Sequence, residues 1–407
     1  MLQSDLQVDL ISNSLLGKKI DVLVSGSIGA VESVRFIRSL RRLGAEVFPI
    51  LSNGAKRFVG EDALSWASGG KEVQTSFLGR LTHLASRDAM VVAPASANVI
   101  GKIAHGITDS PGSALAASYL GEGKPLIILP NMHGSLYNSP LVTKNIETLA
   151  SMATILKPRA EEGKFKFPEP SVLADEVSHL LMRHWSDRPV GASGVMVSMG
   201  STRAYLDDVR YVSNYSSGML GSLISQELYR FGCLTYVVAG SCQVYPRVFT
   251  ELKLCQTNAE MESESLKLLD GKACAAICAA SILDFLPTKK VEGKIKSKNH
   301  ESIDIIMHRT HKIIAKIKPV GKVKVGFKLE SHLTAEDAFT YAQTYMSKYD
   351  LSLMVINQLG DVSLDKHTAL IYPREQNGVG DPILLKSKEE VARYVASHVY
   401  SSLTVEE

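Results

Sequence analysis

Two turns built from small residues each end an apolar run of the chain, and both have the composition of a phosphate-binding turn. The first covers residues 25–29 and ends the run 18–26, and the second covers residues 200–203 and ends the run 194–200. Small side chains let backbone N–H groups approach a phosphate where a helix begins. An ordinary tight turn has the same composition, so each turn by itself leaves both interpretations open.

Polar residues also follow the other apolar runs of the first half. Ser96–Asn98 ends one run and Pro130–His133 ends another, while Ser52 and Asn53 stand where a dinucleotide site would have an acidic residue. We therefore expect a mononucleotide or phosphate ligand, and the missing acid argues against an NAD-dependent reductase. His83 precedes the third run, and a lone histidine is also typical of packing or surface positions.

In the second half, residues 207–218 form a segment rich in hydrogen-bond donors that leads into a helical pattern. Arg210 and neighbouring backbone N–H groups could clamp a phosphate there. A capped helix start is the alternative, because Ser216 and Ser217 would explain it by themselves.

A second group of charged residues follows the apolar run at 272–280. Asp284 lies just after this run, and three lysines come about ten residues later: Lys294, Lys296 and Lys298. An aspartate at a strand end with nearby lysines is typical of a nucleotide triphosphate site, in which the carboxylate serves a metal or acts as base. A lysine run is also typical of a solvated face.

The apolar runs predict the elements that position these residues. In each half, short and nearly continuous apolar runs alternate with helical periodicity, which indicates parallel strands covered by helices on both faces. Residues 184–194 are polar and contain Gly and Pro, which indicates a linker. We predict an α/β fold with two three-layer domains, 1–183 and 194–407, joined by a linker at 184–193.

Composition excludes several classes of function. The formal net charge of +3 gives no reason to expect a nucleic-acid or membrane partner, and no apolar run is long enough for a membrane helix. The five cysteines all lie at or after Cys233, so the first half has no catalytic thiol. Few cysteines and no secretory signal at the start favour a reduced, cytoplasmic protein.

The first half resembles the flavin-dependent cysteine decarboxylases, and among them phosphopantothenoylcysteine decarboxylase. The resemblance covers about residues 18–182 and is carried by GSIGA, LSNGAKRFV, APASAN and PNMHGSLYNSP in that order. It implies a flavodoxin-like or Rossmann-like flavoprotein of the HFCD type that binds FMN, with His83 as the catalytic imidazole. The FMN-binding positions would be Gly26, Ser27, Ile28, Ser52, Ser96, Ala97 and Asn98. The substrate-binding positions would be Met132, His133 and Asn138.

The implied reaction is oxidation of the substrate thiol, loss of the carboxylate, and reduction of the product. This chain departs from the usual pattern twice, because His133 replaces an asparagine and the segment 156–170 lacks the usual cysteine that donates a proton. His133, Lys164 and Lys166 are alternative donors. Two interpretations follow: a working variant of the decarboxylase, or a domain that binds FMN without turnover.

The second half resembles phosphopantothenate–cysteine ligase over about residues 194–403. The motifs are STR, VRYVSNYSSG, AASILDF, KIKSK, THKII and VGFKLES, and the second is the most specific. The resemblance implies a Rossmann-like ligase domain that joins 4′-phosphopantothenate to L-cysteine through an acyl-nucleotide, with Mg2+ and CTP or ATP. Asn214 would contact the intermediate, Arg210 would support its loop, and Lys294 would be the catalytic lysine.

The same resemblance implies a set of nucleotide-binding positions: Asp284, Lys294, His311, Lys312, Ile313, Ile314 and Phe327. The family usually has two nucleotide-binding lysines in the following helix. This chain has Gln343 at the position of one of them, and Lys348 lies near the position of the other. The segment FKLES stands in place of the commoner FAAET, so the choice between CTP and ATP as the nucleotide stays open. Together the halves predict a bifunctional, homo-oligomeric enzyme of coenzyme A biosynthesis.

Overall fold

The computed structural model describes residues 5–77, 84–161, 164–186, 194–296, 298, 301–331, 333–362, 367–376 and 378–403. The chain divides into two compact units, 1–186 and 187–407. The last helix of the first unit includes His184, one residue beyond the predicted end of the first domain, and residues 187–193 of the predicted linker lie outside the described residues.

The first unit is a parallel sheet with strand order β2-β1-β3-β4-β5, followed by a small antiparallel hairpin of β6 and β7. Its strands are β1 Lys19–Val24, β2 Glu46–Leu51, β3 Ala89–Ala95, β4 Leu126–Pro130, β5 Thr154–Ile155, β6 Arg159–Glu161 and β7 Lys164–Lys166. Its helices are α1 Ser33–Arg42, α2 Glu61–Ala67, α3 Ala97–Ala104, α4 Pro111–Gly121, α5 Gly134–Tyr137, α6 Pro140–Ala150 and α7 Pro170–His184.

The alternation of side chains along β1 explains the three layers of this unit. Ile20 and Val22 point into a core with α1, α2 and α7, whereas Leu23 points into a second core with α3, α4 and α6. Because successive side chains of a strand face opposite sides of a sheet, a strand whose side chains are buried on both faces must be covered on both faces.

The second unit is a larger sheet with strand order β12-β11-β8-β13-β16-β17-β18, extended at β18 by β19 and β20. Its strands are β8 Gly194–Met199, β9 Arg203–Tyr205, β10 Tyr211–Ser213, β11 Leu234–Ala239, β12 Glu251–Leu254, β13 Ala275–Cys278, β14 Phe285–Pro287, β15 Met307–Arg309, β16 Val323–Glu330, β17 Leu353–Val362, β18 His367–Glu375, β19 Gly378–Val379 and β20 Ile383–Leu385. Its helices are α8 Met219–Arg230, α9 Asn258–Leu269, α10 Ala335–Tyr349 and α11 Lys388–Ser402.

Helices cover both faces of this sheet as well. Val195 and Val197 of β8 lie in a core with α8 and α11, and Met196 lies in a core with α9. The predicted parallel sheet is correct from β12 to β17, but β18 and β20 add antiparallel strands that the sequence analysis did not predict. The connection from β17 to β18 is too short for the crossover that a parallel neighbour requires.

Within the described residues, no helix combines the length and apolarity needed to cross a bilayer.

Candidate functional site

A cavity of about 1070 Å³ lies in the first unit at the carboxyl ends of its parallel strands. Ligands bind at this edge in open α/β sheets. The cavity wall includes most of the positions predicted for flavin and substrate: Gly26, Ser27, Ile28, Ser52, Ser96, Ala97, Asn98, Met132 and His133. Asn138 is outside the lining and caps the end of α5. His83 lies outside the described residues.

Close backbone contact explains the glycines of the first turn. A Cβ on Gly26 would lie 2.9 Å from the carbonyl carbon of Gly54, and a Cβ on Gly29 would lie 2.5 Å from Asn131 Oδ1. Both positions therefore exclude a side chain, and the turns after β1 and β2 meet along one wall of the cavity. Turns without side chains of this kind let backbone atoms come close to a ligand.

The turn after β3 is fixed by a serine from the first turn. Ser25 Oγ donates to the carbonyl of Pro94 at 2.8 Å and accepts the Ser96 N–H at 2.8 Å. Ser96 then caps α3 by accepting the Val99 N–H. The start of α3, the positive end of its dipole, is therefore held at the cavity.

Asn131 connects three parts of this site, although the sequence analysis gave it no role. It is 3% exposed, its Oδ1 accepts a hydrogen bond from Ser27 Oγ, and its Nδ2 donates to the carbonyl of Phe165 at 3.0 Å. The Phe165 ring packs on Tyr137 with 4.1 Å between centroids. Asn131 thus joins the first turn to the β6–β7 hairpin. Its position at the carboxyl end of a buried strand was the available signal.

The three alternative proton donors differ in their surroundings. His133 lines the cavity and caps α5, with its Nδ1 accepting the Ser135 N–H at 3.3 Å. Lys166 also lines the cavity, and its Nζ lies 3.1 Å from Glu161 Oε2. The side chain of Lys164 lies outside the described residues.

In the second unit, three serines join the carboxyl ends of neighbouring strands. Ser201 follows β8 and forms bridges with Ser241, which follows β11, and with Ser281, which follows β13. The strand order reverses between β8 and β13, which is the position where doubly wound sheets bind ligands. Asn214 reaches this position, because its Nδ2 donates to the carbonyl of Ile282 at 3.3 Å.

Asp207 brings the segment that carries Lys294 to the loop that carries Arg210. Arg210 Nη1 donates to Asp207 Oδ2 at 2.6 Å and to the carbonyl of Ile295 at 3.1 Å, and the Ile295 N–H donates to Asp207 Oδ2 at 3.1 Å. Asp208 adds a second connection by accepting the Gly293 N–H at 3.0 Å. Two segments some 85 residues apart in sequence are therefore adjacent in the fold.

Asp207 is fully buried. Burial alone would raise the pKa of its carboxyl, but hydrogen bonds from the backbone N–H groups of Arg210, Val209 and Ile295 and from the Arg210 guanidinium outweigh it and hold the pKa below its ordinary value of 3.8. A folded-state pKa below the unfolded one adds stability above the unfolded pKa, and this stability is lost as pH falls through the folded pKa.

We predict that Asp207→Asn lowers the ligase kcat/KM by about tenfold to a hundredfold, because the loops that carry Arg210 and Lys294 separate. It should also lower the thermal midpoint at pH 7, and the difference from wild type should narrow only as pH falls below 3.8. Calorimetry and ligase assays across pH check this. A constant difference in midpoint between pH 3 and 7 would contradict the role of the buried charge.

Two of the regions predicted for the nucleotide, Asp284 and the stretch 311–314, flank the separate two-stranded sheet of β14 and β15. The carboxylate of Asp284 is exposed, and its Oδ1 lies 2.6 Å from Lys312 Nζ. His311 Nε2 lies 2.6 Å from Glu262 Oε2. Among the described residues, no group of three His, Cys, Asp or Glu side chains is arranged to hold a metal.

Two of the predicted nucleotide positions belong to the core. Ile313 is buried, and Ile314 packs against the core that contains Leu351. Their side chains therefore contribute to packing, and their assignment to a nucleotide site stays a prediction. Phe327 lies in β16 and is partly buried against the core of the second unit.

Comparison with known proteins gives matches to both units. The family described as Flavoprotein matches residues 11–182, and the family described as DNA/pantothenate metabolism flavoprotein C-terminal domain matches residues 191–403. A solved DNA/pantothenate metabolism flavoprotein from Streptococcus pneumoniae is 20% identical, covers 51% of this chain and 99% of its own, and has a TM-score of 0.45.

Two relatives match nearly the whole chain. A coenzyme A biosynthesis bifunctional protein CoaBC of Thermococcus kodakarensis is 30% identical over 374 residues, covering 89% of this chain and 91% of the relative. The CoaBC protein of Methanocaldococcus jannaschii is 28% identical over 400 residues, covering 95% and 94%. The chain therefore belongs to the family of coenzyme A biosynthesis bifunctional proteins, in which a flavoprotein decarboxylase half precedes a ligase half.

Proposed function

We propose that the second unit ligates 4′-phosphopantothenate to L-cysteine with CTP or ATP, and that the first unit decarboxylates the product with FMN. The observation that carries the ligase assignment is the contact between the Arg210 loop and the Lys294 segment through buried Asp207. The order of the two reactions follows from their chemistry, because the ligase product is the decarboxylase substrate.

The ligase half must stabilise charge at two stages. The substrate carboxylate attacks the α-phosphorus and releases pyrophosphate, and the cysteine amine then attacks the acyl carbon and releases the nucleoside monophosphate and a proton. Lys294 offsets charge that develops on the phosphates, and the Asn214 amide donates to the acyl-phosphate oxygens. In this proposal the exposed carboxylate of Asp284 would help to bind the Mg2+ that accompanies the triphosphate.

The cavity of the first unit fits a flavin mononucleotide. The glycine-containing turns and the start of α3 would hold its phosphate, and the walls supplied by Met132 and Phe165 would contact its ring. When bound, FMN supplies reversible two-electron oxidation of the substrate thiol, which makes the neighbouring carboxylate labile. His133 and Lys166, two of the three alternative proton donors, line the same cavity.

Exposed apolar side chains next to the cavity support a homo-oligomer. Ile28 is 70% exposed, Leu136 51% and Val31 48%, and all three line the cavity. Exposed apolar surface of this kind marks a contact with a ligand or with another protein surface. We propose that a second copy of the chain covers it, and sedimentation velocity of the flavin-loaded protein tests this.

An assay of product formation by the full chain tests the whole proposal. The assay contains 4′-phosphopantothenate, L-cysteine and Mg2+, with either CTP or ATP. We expect 4′-phosphopantetheine and CO2, with one nucleotide giving the higher kcat/KM. Accumulation of 4′-phosphopantothenoylcysteine without CO2 would support the alternative of an active ligase fused to a flavin-binding domain without turnover. Absence of both products would contradict the proposal.

His83→Asn should stop CO2 release and leave ligation unchanged, because the resemblance assigns the catalytic imidazole of the first unit to this position. The expected loss of decarboxylase kcat is about 10²-fold or more. Mass spectrometry of the products measures both activities in one sample, and exposed His105→Asn is the control with the same substitution. Full CO2 release by His83→Asn would show that the assignment is wrong.

A further inference from the structure

Arg203 occupies a fixed position beside the loop of Asn214. It lies on β9 directly opposite Ser213 of β10, so its backbone neighbours that of Asn214. Its guanidinium carbon lies 4.5 Å from the centre of the Tyr211 ring, and its Nη2 donates to Ser241 Oγ at 3.1 Å. Stacking on one side and a hydrogen bond on the other hold the guanidinium at the carboxyl ends of β8 and β11.

The charge of this guanidinium has no counterion in the part of the chain that the structure describes. No carboxylate there lies within ion-pair distance of Arg203, and its buried Nε has no hydrogen-bond acceptor. Two other arginines removed from solvent have a carboxylate partner: Arg87 Nη1 lies 2.7 Å from Asp21, and Arg230 contacts Glu227. A partly buried cation without an anion is costly, and a bound anion offsets the cost.

The surroundings of Arg203 favour a ligand with a phosphoryl group. Its guanidinium donates to the neutral hydroxyl of Ser241, and Ser213, which pairs with Arg203 across the two strands, donates to Ser201 Oγ at 3.1 Å. Guanidinium N–H groups match the oxygens of phosphate in geometry and charge. We propose that Arg203 binds a phosphoryl group of a ligase ligand, an inference that rests on the proposed ligase function.

Two ligase ligands carry this chemistry: the nucleotide, through its triphosphate, and 4′-phosphopantothenate, through its terminal phosphate. Equilibrium dialysis of CTP, ATP, 4′-phosphopantothenate and unphosphorylated pantothenate against the full-length wild type, Arg203→Gln and Arg203→Lys separates the two sources. Lys267→Gln is the charge-matched control, since Lys267 is exposed on α9 and pairs only with Glu264 in the described part. Thermal midpoints and steady-state KM values are measured on the same preparations.

We expect Arg203→Gln to raise the dissociation constant and KM of one class of phosphorylated ligand, either the nucleotides or 4′-phosphopantothenate, by about tenfold to a hundredfold. The other ligands should change by less than about twofold, and Arg203→Lys should recover part of the loss. A selective loss of affinity for 4′-phosphopantothenate identifies its phosphate as the bound group, and a selective loss of affinity for the nucleotides identifies the triphosphate.

Three outcomes overturn the inference. The first is that Arg203→Gln binds every ligand as the wild type does. The second is an equal loss of affinity for pantothenate and for 4′-phosphopantothenate. The third is a lower thermal midpoint together with weaker binding of all ligands, both fully reversed by Arg203→Lys. The last would make Arg203 a structural residue. Failure of the wild type to form 4′-phosphopantothenoylcysteine would instead contradict the ligase function itself.

Discussion

Asn214→Asp should reduce the ligase kcat/KM by about 10²- to 10³-fold and leave the flavin content unchanged. The amide of Asn214 donates to the carbonyl of Ile282 at the reversal point of the strand order. In the proposed reaction the same amide faces an acyl-phosphate that carries negative charge. Aspartate has nearly the same shape but replaces a donor with an anion, so it removes a stabilising contact and adds repulsion.

Gln376→Glu is the matched control for this variant. It also converts an amide to a carboxylate, but at an exposed position after β18. It should retain ligase activity within about twofold, as expected for a surface substitution. Equal activity of Asn214→Asp and wild type would remove Asn214 from the site, and an equal fall in both variants would indicate a general effect of the added charge.

Asn131→Ala should weaken FMN binding by about tenfold or more and lower decarboxylation with it. The substitution leaves Ser27 Oγ and the Phe165 carbonyl without their buried partner, and an unsatisfied buried polar group costs about 1–3 kcal/mol. It also frees the first turn from the β6–β7 hairpin. The measurement is the ratio of flavin absorbance, near about 450 nm, to protein absorbance after dialysis.

Asn13→Ala provides the comparison, because Asn13 is exposed in the segment before β1. It should keep the flavin content of wild type. Ligation by Asn131→Ala should also be normal, since the altered contacts lie within the first unit. Full flavin occupancy of Asn131→Ala after dialysis would contradict the account of how the cavity is built.

The sequence predicted those parts of the fold that depend on local periodicity. Helical periodicity at 217–231 and at 333–348 predicts two helices, and the structure has them as α8, Met219–Arg230, and α10, Ala335–Tyr349. Caps account for the agreement: Gly218 precedes α8 in the left-handed conformation, and Thr334 and Asp337 form a capping box at the start of α10. The antiparallel edge formed by β18 and β20 was missed because it depends on pairing rather than on periodicity.

Contacts between residues distant in sequence account for what was missed in the sites. Asn131 lies 104 positions from Ser27, and Asp207 lies 88 positions from Ile295. No local pattern shows that either polar side chain is buried. The assignment of Ile313 and Ile314 to a nucleotide site came from a motif, whereas their side chains are held by the core.

The central claim is that the loop from Arg210 to Gly218 holds an activated acyl-nucleotide while an amine attacks it. A crystal structure of the full chain soaked with 4′-phosphopantothenate, CTP and Mg2+ in the absence of cysteine tests this claim most directly. We predict density for the acyl-nucleotide with its phosphate within hydrogen-bond distance of Asn214 Nδ2. An adduct bound elsewhere, or a loop that points away from every bound ligand, would contradict the assignment.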